Sequence, residues 1–273
     1  MAIKDILVHM DDSERCRIRL ALAARIGAIH QGHLIGLNVR TRVELHHYMA
    51  LKSGSRFDNI HDGHNIEAAR KAKALFEGLE VADGVTKEWR NVEGAQLEMM
   101  SMHARYADLT LIGQADHSNG EKPLCDALIM AVGRPVMIVP RVGRFETVGE
   151  RILVAWNASR EATRAVHDAM PLLSKAKMVR VVAGEPEGGA VHGENPGADL
   201  SAHLQRHGVN VVWEHLNAEG INVGETLLNR VADEGIDMMV MGAYGHSRFR
   251  EMVLGGATRH LLNHMTVPVL MSH

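Results

Sequence analysis

The chain has 273 residues, of which 46% are hydrophobic and 23% are charged, and its formal net charge is −3. This ordinary globular balance excludes a disordered or fibrous chain, and the lack of a strong positive field disfavours nucleic acid and anionic membranes as partners. An aromatic content of only 4% also argues against a platform on which bases stack.

The first predicted element is a buried strand at residues 6–8, followed by a helix with Ser13 as its N-cap. Acidic residues end this apolar run, which distinguishes it from an export signal. No apolar stretch is long enough to span a bilayer. Cys16 and Cys125 form no CxxC pair. They are predicted to be reduced thiols of a cytoplasmic protein.

Residues 40–64 are predicted to be a loop, because they combine Gly, Ser, Asn and Asp with four histidines. Whether the histidines at 46–64 bind a metal is left open by the sequence. The pairs His203/His207 and His260/His264 have i,i+4 spacing and would share helix faces. Two histidines do not complete a metal site without a third ligand, so solvated helix faces are favoured and no metal site is predicted.

Four sequence blocks occur twice in the same order, which indicates two copies of one domain. Residues 6–13 (ILVHMDDS) align with 152–159 (ILVAWNAS), and 84–89 (GVTKEW) align with 208–213 (GVNVVW). Residues 108–113 (DLTLIG) align with 237–242 (DMMVMG), and 135–139 (PVMIV) align with 268–272 (PVLMS). The polar segment 140–149 is the predicted seam. The predicted domains are therefore residues 1–143 and 149–273.

Each copy alternates short apolar runs with amphipathic stretches. Runs such as 152–155, 178–183 and 238–241 have strand length and suit a parallel sheet that is buried on both faces. The stripe Val166, Ala169, Met170 and Leu173 has helical spacing. The predicted fold class is α/β, with two tandem copies of an open, doubly wound, five-stranded parallel sheet carrying helices on both faces.

Glycines cluster where a strand of the second copy ends. Ligands of open α/β sheets bind beyond the carboxyl ends of the strands. Gly242 and Gly245 follow the predicted strand, and Gly255 and Gly256 open a helix that contains Thr258. Their amides can converge on an anion at a helix N-terminus. For Gly242 alone a tight turn is the favoured explanation, whereas the four glycines together favour a phosphate site.

Several of these segments resemble the universal stress protein family. The spacing Gly242-x2-Gly245-x9-Gly255 is similar to the family's nucleotide loop, G-x2-G-x9-G-[ST]. Residues 6–13 resemble its opening strand, which ends in Asp-Gly-Ser, and residues 134–140 and 267–271 resemble its last strand. The resemblance covers nearly all of both copies. It implies a tandem universal stress protein with the adenine nucleotide alpha hydrolase-like fold.

The resemblance implies a nucleotide site in the second copy, where the first strand holds adenosine and the glycine loop wraps the phosphates. Asn157 replaces the family's Asp, and Gly256 replaces its Ser or Thr. The implied ligand is ATP, accompanied by Mg²⁺. The implied binding residues are Ala155, Asn157, Met241, Gly242, Gly245, Gly255, Gly256 and Thr258.

The first copy departs further from the family pattern. It keeps Asp11, which is the weaker candidate for nucleotide binding, but Asp116 stands where the second glycine belongs. A carboxylate there would repel phosphate, so the first copy is predicted not to bind ATP in the family's manner. Asp11 and Asn157 have an alternative role as caps of the helices that follow them.

Three functions compete. The favoured one is a stress-response protein that binds ATP or a related adenine nucleotide in the C-terminal copy as a regulatory ligand. The second is a nucleotide-independent interaction scaffold with an unknown protein partner. The third is a slow ATP hydrolase, for which the sequence offers no clear base or metal carboxylate. The resemblance also implies that the last strands of the two copies pair antiparallel as an intrachain pseudo-dimer, and further homodimerisation stays open.

Overall fold

The fold was obtained as a computed structural model. The structure describes residues 2–41, 56–115, 124–184, 196–216, 223–243 and 256–273, with residues 56–65 and 256–257 described by their backbone only. The strands are β1 Asp5–His9, β2 His33–Arg40, β3 Thr86–Glu93, β4 Leu109–Gly113, β5 Val136–Val139, β6 Arg151–Trp156, β7 Met178–Ala183, β8 Val211–His215, β9 Met238–Gly242 and β10 Val269–Ser272.

Helices connect these strands along the chain. They are α1 Glu14–His30, α2 Arg56–Glu77, α3 Gln96–Ala104, α4 Leu124–Val132, α5 Arg160–Leu173, α6 Pro196–Arg206, α7 Val223–Asp233 and α8 Gly256–His264. No helix in the described ranges is both long and apolar enough to cross a membrane.

The described strands form one sheet of ten, in the order β3-β2-β1-β4-β5-β10-β9-β6-β7-β8. Neighbouring strands are parallel except at the centre, where β5 and β10 are antiparallel and Leu270 pairs with Met137. The predicted α/β class with two five-stranded halves is confirmed. The two halves join edge to edge into one continuous sheet, which covers two strand edges that would otherwise be open.

Both faces of the sheet are buried, which explains why the inner strands are apolar runs rather than alternating patterns. One hydrophobic core lies between the sheet and the face that carries α1 and α5, and includes Leu20, Ile26 and Val166. The other lies under α4 and α8, and includes Leu128 and Leu261. The predicted stripe on α5 is correct, because Val166, Ala169 and Leu173 are all buried there.

The prediction of a loop across residues 40–64 is wrong at its C-terminal end, because α2 begins at Arg56. The later part of this helix is anchored by Ala69, Ala72 and Phe76, which are buried at helical spacing. The loop prediction gave too much weight to Asn, Asp and Gly, which weaken a helix by less than about 1 kcal/mol each and can be outweighed by packing. Residues 42–55 lie outside the described part of the chain.

Candidate functional site

The C-terminal half has a topological switch point between β6 and β9. β6 pairs with β9 on one side and with β7 on the other. The helices that follow β6 and β9 pack on opposite faces of the sheet, which opens a crevice at its carboxyl edge. Ala155 pairs in register with Met241, and Asn157 and Gly242 follow directly in the chain. Four predicted site residues therefore meet at this edge.

The helix start predicted to bind phosphate belongs to the same edge. α8 connects β9 to the parallel strand β10, so its axis runs back along the sheet and its N-terminus lies at the carboxyl ends of the strands. Gly256 opens this helix, and Thr258 lies in its first turn with an exposure of 8%. Gly245 and Gly255 lie outside the described residues.

Asn157 stabilises the turn before α5, but the N-cap of that helix is Ser159 and not, as the sequence allowed, Asn157. Its Oδ1 accepts a hydrogen bond from the backbone N–H of Ser159, at 3.2 Å. The Ser159 hydroxyl in turn accepts from the N–H of Ala162, at 3.1 Å, and caps α5. Ala158, between them, has a φ of +57°, which favours glycine. Asn157 thus shapes the turn at the switch point, and its Nδ2 can donate to a ligand.

Gly242 is required by packing. A Cβ at this position would lie 2.4 Å from the backbone N of Ala162 and 2.6 Å from the carbonyl carbon of Glu161. The first turn of α5 therefore presses against the end of β9 with no room for a side chain. The structural explanation for this glycine is therefore close packing at the end of β9, rather than the tight turn that the sequence favoured, and it does not depend on a ligand.

The N-terminal half has the equivalent switch point between β1 and β4, and an open cavity of about 360 Å³ lies at that position. Val8 pairs in register with Leu111 on these two strands. Its lining combines apolar surface with polar and charged side chains, among them His9, Asp11, Arg15, Arg19, Gln114 and Arg141. Sequence analysis missed this cavity.

An ion pair between Asp11 and Arg19 lies at the base of the cavity. The Arg19 side chain is 2% exposed, and its Nη2 donates to Asp11 Oδ2 at 2.8 Å while its Nε donates to the His9 carbonyl oxygen at 2.7 Å. Burial opposes ionisation of Asp11, but Arg19, together with the Ser13 hydroxyl, outweighs it and lowers the pKa of Asp11. Asp11 Oδ1 also accepts from the Ser13 N–H at 3.1 Å. Asp11 therefore holds the turn, as Asn157 does in the other half.

Two further titratable groups line this cavity without carrying charge at neutral pH. Burial lowers the pKa of His9 to about 4, with a further contribution from the Arg19 charge, and the His9 Nε2 lies 3.0 Å from Gln96 Nε2. Burial, followed by the charge of Asp126, raises the pKa of Cys125 to about 12. The formal charge of the lining therefore comes from its arginines and Asp11.

Gln114 connects the N-terminal cavity to the C-terminal half. Its Nε2 donates to the carbonyl oxygen of Leu262 at 2.6 Å, and its Oε1 accepts from the N–H of Arg141 at 2.8 Å. Leu262 lies near the C-terminus of α8, the helix whose first turn faces the other switch point. A single side chain thus links the two candidate sites through one helix.

The histidine pairs do share helix faces. The rings of His203 and His207 are 4.8 Å apart, with His167 5.8 Å from His203, and His260 stacks on His264 at 4.4 Å. Across the part of the chain that the structure describes, no group of three or more His, Cys, Asp or Glu side chains is arranged to hold a metal ion.

Comparison with known proteins identifies the C-terminal half. The model of the universal stress protein family matches residues 149–273. The C-terminal half of the chain is therefore a universal stress protein domain. A universal stress protein of Synechocystis sp. is 25% identical over 147 residues, which cover 53% of this chain and 49% of that protein. The matched part thus spans about half the length of this curated relative.

Solved structures extend the likeness in fold to the whole chain. A universal stress protein from Archaeoglobus fulgidus aligns with a TM-score of 0.74 at 15% identity, covering 98% of this chain and 96% of that one. A functionally unknown protein from Pseudomonas aeruginosa aligns with a TM-score of 0.57 at 15% identity, covering 99% of this chain and 92% of that one. At this identity the likeness establishes the fold. The N-terminal half therefore shares the universal stress protein architecture.

Within this architecture the sequence located the C-terminal switch point correctly and overlooked the arginines of the N-terminal one. Arg19 occupies the position that aligns with Ala165 in the repeat. A charged residue on a helix is usually solvated, so its burial was not anticipated. The pairing of Arg19 with Ala165, a few residues after the matching block 6–13, was the available signal.

Proposed function

We propose that the C-terminal domain binds one adenine nucleotide, with ATP and its Mg²⁺ as the reference ligand, and that this ligand regulates the protein. The observation that carries the proposal is the switch point between β6 and β9, where Asn157 and Gly242 adjoin the edge at which α8 begins. Open α/β sheets bind ligands at such points, and a helix N-terminus favours the negative charge of a phosphate.

Each part of the proposed site has a distinct task. Backbone N–H groups at the start of α8, from Gly256 onward, would hold phosphate oxygens, and the loop glycines Gly245 and Gly255 would let the backbone approach them closely. The hydroxyl of Thr258 would add a donor. Asn157 would bind the base or ribose through Nδ2, because its Oδ1 already accepts from Ser159.

The test is a titration of the whole chain with Mg-ATP, accompanied by native mass measurement of protein purified gently. We expect one nucleotide per chain. The Gly245→Glu variant places a carboxylate among the phosphates and should weaken binding by at least about tenfold, or ~1.4 kcal/mol. Asp116→Glu, at the aligned position of the N-terminal half, is the matched control and should leave the affinity unchanged. Equal affinity in Gly245→Glu would remove the assigned site.

The alternative is an interaction scaffold that needs no nucleotide. It is favoured by one specific observation, that Gly242, Asn157 and Ser159 all have structural roles in the turn and the packing of α5. A chain that is purified without nucleotide and ignores added Mg-ATP would establish this alternative.

We further propose that the chain acts in the cytoplasm as a monomer that mimics a dimer. The palindromic strand order about the β5–β10 junction supports the second part, since each half presents its last strand to the other. Cys16 and Cys125 are buried and unpaired thiols, as suits a reducing compartment. Sedimentation that shows folding only in a higher oligomer would contradict the monomer.

A further inference from the structure

The described lining of the N-terminal cavity contains more guanidinium groups than carboxylates. Three guanidinium groups, those of Arg15, Arg19 and Arg141, line it together with a single carboxylate, that of Asp11. His9 adds no charge at neutral pH, because its pKa is lowered to about 4. The formal charge of the described lining residues is therefore positive, in a pocket that is partly shielded from water, where a charge acts more strongly than it does in solvent.

Arg19 is the most buried of these three arginines, and not all of its guanidinium nitrogens donate a hydrogen bond within the described residues. Nε and Nη2 have partners in the His9 carbonyl and Asp11. Nη1 lies against Gly113, whose Cβ, if it had one, would be 2.7 Å away. Within the described residues Nη1 donates no hydrogen bond. Nη1 is not among the fully enclosed polar atoms that lack a partner, so it is open to the cavity and can donate to an oxygen atom there.

Arg15 also lacks a carboxylate partner among the described residues. Its Nη1 and Nη2 donate to the carbonyl oxygens of Gly143 and Pro140, at 3.0 and 2.7 Å. These neutral acceptors fix the side chain at the cavity without cancelling its charge. Burial and the nearby charge of Arg19 lower the pKa of Arg15. An anion between the two guanidinium groups would relieve this repulsion.

We infer that the N-terminal cavity is a binding site for a small oxyanion, a carboxylate or a phosphate group, held by Arg19 with Arg15 beside it. Planar guanidinium groups match the oxygen atoms of carboxylates and phosphates in geometry and charge. Arg19 is the group that distinguishes this cavity from the other half, where Ala165 aligns with it. This site is separate from the proposed nucleotide site and does not depend on it.

Size and lining favour a small ligand over a nucleotide. A cavity of about 360 Å³ lies at the lower end of the range for small-molecule sites. Its described lining contains apolar side chains such as Ile112 and Val139 but no Phe, Tyr or Trp side chain on which a base could stack. The two halves would thus take ligands of different classes at equivalent positions in the sheet.

The test measures anion binding in the whole chain carrying Gly245→Glu, so that phosphate cannot bind to the C-terminal loop. Inorganic phosphate and acetate are titrated separately by calorimetry, each up to about 10 mM, which detects the weak affinities typical of such small ions. We expect saturable binding of at least one of them, at one per chain. Phosphate alone would identify a phosphate site, and acetate alone would identify a carboxylate site.

Two further substitutions, each added to the Gly245→Glu chain, separate binding from folding. Asp11→Asn removes the carboxylate that competes for Arg19 and should tighten anion binding about fivefold, which a merely structural role of Arg19 would not produce. The double substitution Asp11→Asn, Arg19→Met removes both charges, so neither is left unpaired, and should abolish binding. Circular dichroism checks that both variants remain folded.

Three outcomes would overturn the inference. They are no saturable binding of either anion, unchanged affinity in the folded Asp11→Asn, Arg19→Met variant, and displacement of the bound anion by Mg-ATP in the Gly245→Glu chain. Failure of the proposed nucleotide site would instead appear as an absence of Mg-ATP binding to the unsubstituted chain. The two results are therefore distinguishable.

Discussion

The two switch points have the same turn after the first strand, but different groups pack in their crevices. In each, a side chain shortly after the first strand accepts a hydrogen bond from the backbone N–H of the serine two residues later: Asp11 from Ser13 and Asn157 from Ser159. In the C-terminal half the first turn of α5 packs directly on Gly242, whereas in the N-terminal half the guanidinium of Arg19 lies against Gly113. The two copies of the domain therefore share the turn but differ in the residues that determine the chemistry of the crevice.

The largest expected effect comes from placing a methyl group at each equivalent glycine. Gly242→Ala would bring Cβ within 2.4 Å of a backbone nitrogen, which cannot move without shifting α5, so a loss of about 3 kcal/mol is expected. Gly113→Ala would meet only Nη1 at the end of the Arg19 side chain, at 2.7 Å and not backbone, and should lose about 1 kcal/mol. Urea unfolding of both variants measures the difference. Equal losses would mean that the two edges are packed alike.

Lowering the pH should reduce the stability of the N-terminal half through protonation of His9. The aligned residue of the C-terminal half is Ala155, which does not titrate. The unfolded chain protonates this imidazole near pH 6.5, but the folded chain keeps it neutral down to about pH 4. The unfolded state therefore binds more protons in this window, and stability falls as the pH drops from about 6.5 to about 4. The loss from His9 is on the order of 3 kcal/mol.

The matched variant for this prediction is His9→Ala, which copies the other half. Its stability should fall less steeply between about pH 6.5 and about pH 4 in urea titrations. A remaining slope is expected from His30, because burial, followed by the charges of Lys175 and Lys4, lowers the pKa of His30 to about 4. An unchanged slope in His9→Ala would show that His9 is not buried as described.

The smallest effect distinguishes the two helix caps. Ser159→Ala removes the hydroxyl that accepts from Ala162, and should destabilise the chain by about 1 kcal/mol. Ser13 makes no such bond to α1, since its hydroxyl donates to Asp11. Ser13→Ala should therefore cost less than half as much. Thermal midpoints of the two variants, measured side by side, test the order, and a larger loss for Ser13→Ala would reverse it.

The architecture was largely predictable, because the repeat and the apolar runs depend on local sequence. β7, predicted at residues 178–183, has those bounds in the structure. The cavity was not predictable in the same way, since it depends on where long side chains from α1 end in space. Arg19 reaches the carbonyl of His9 and the edge beside Gly113 only once the sheet has formed. Asp116, which decided the prediction against ATP, lies outside the described residues, so that prediction stands untested.

The antiparallel contact of β5 with β10 lies within one chain, so the two crevices can evolve independently. In a symmetric dimer of identical chains, every substitution appears twice, so an arginine that remodels one crevice remodels both. Here the same contact lies within one continuous chain. Position 19 can therefore carry arginine while its counterpart at position 165 keeps alanine. Covalent linkage releases the two halves from symmetry, and each can be selected for a ligand of its own.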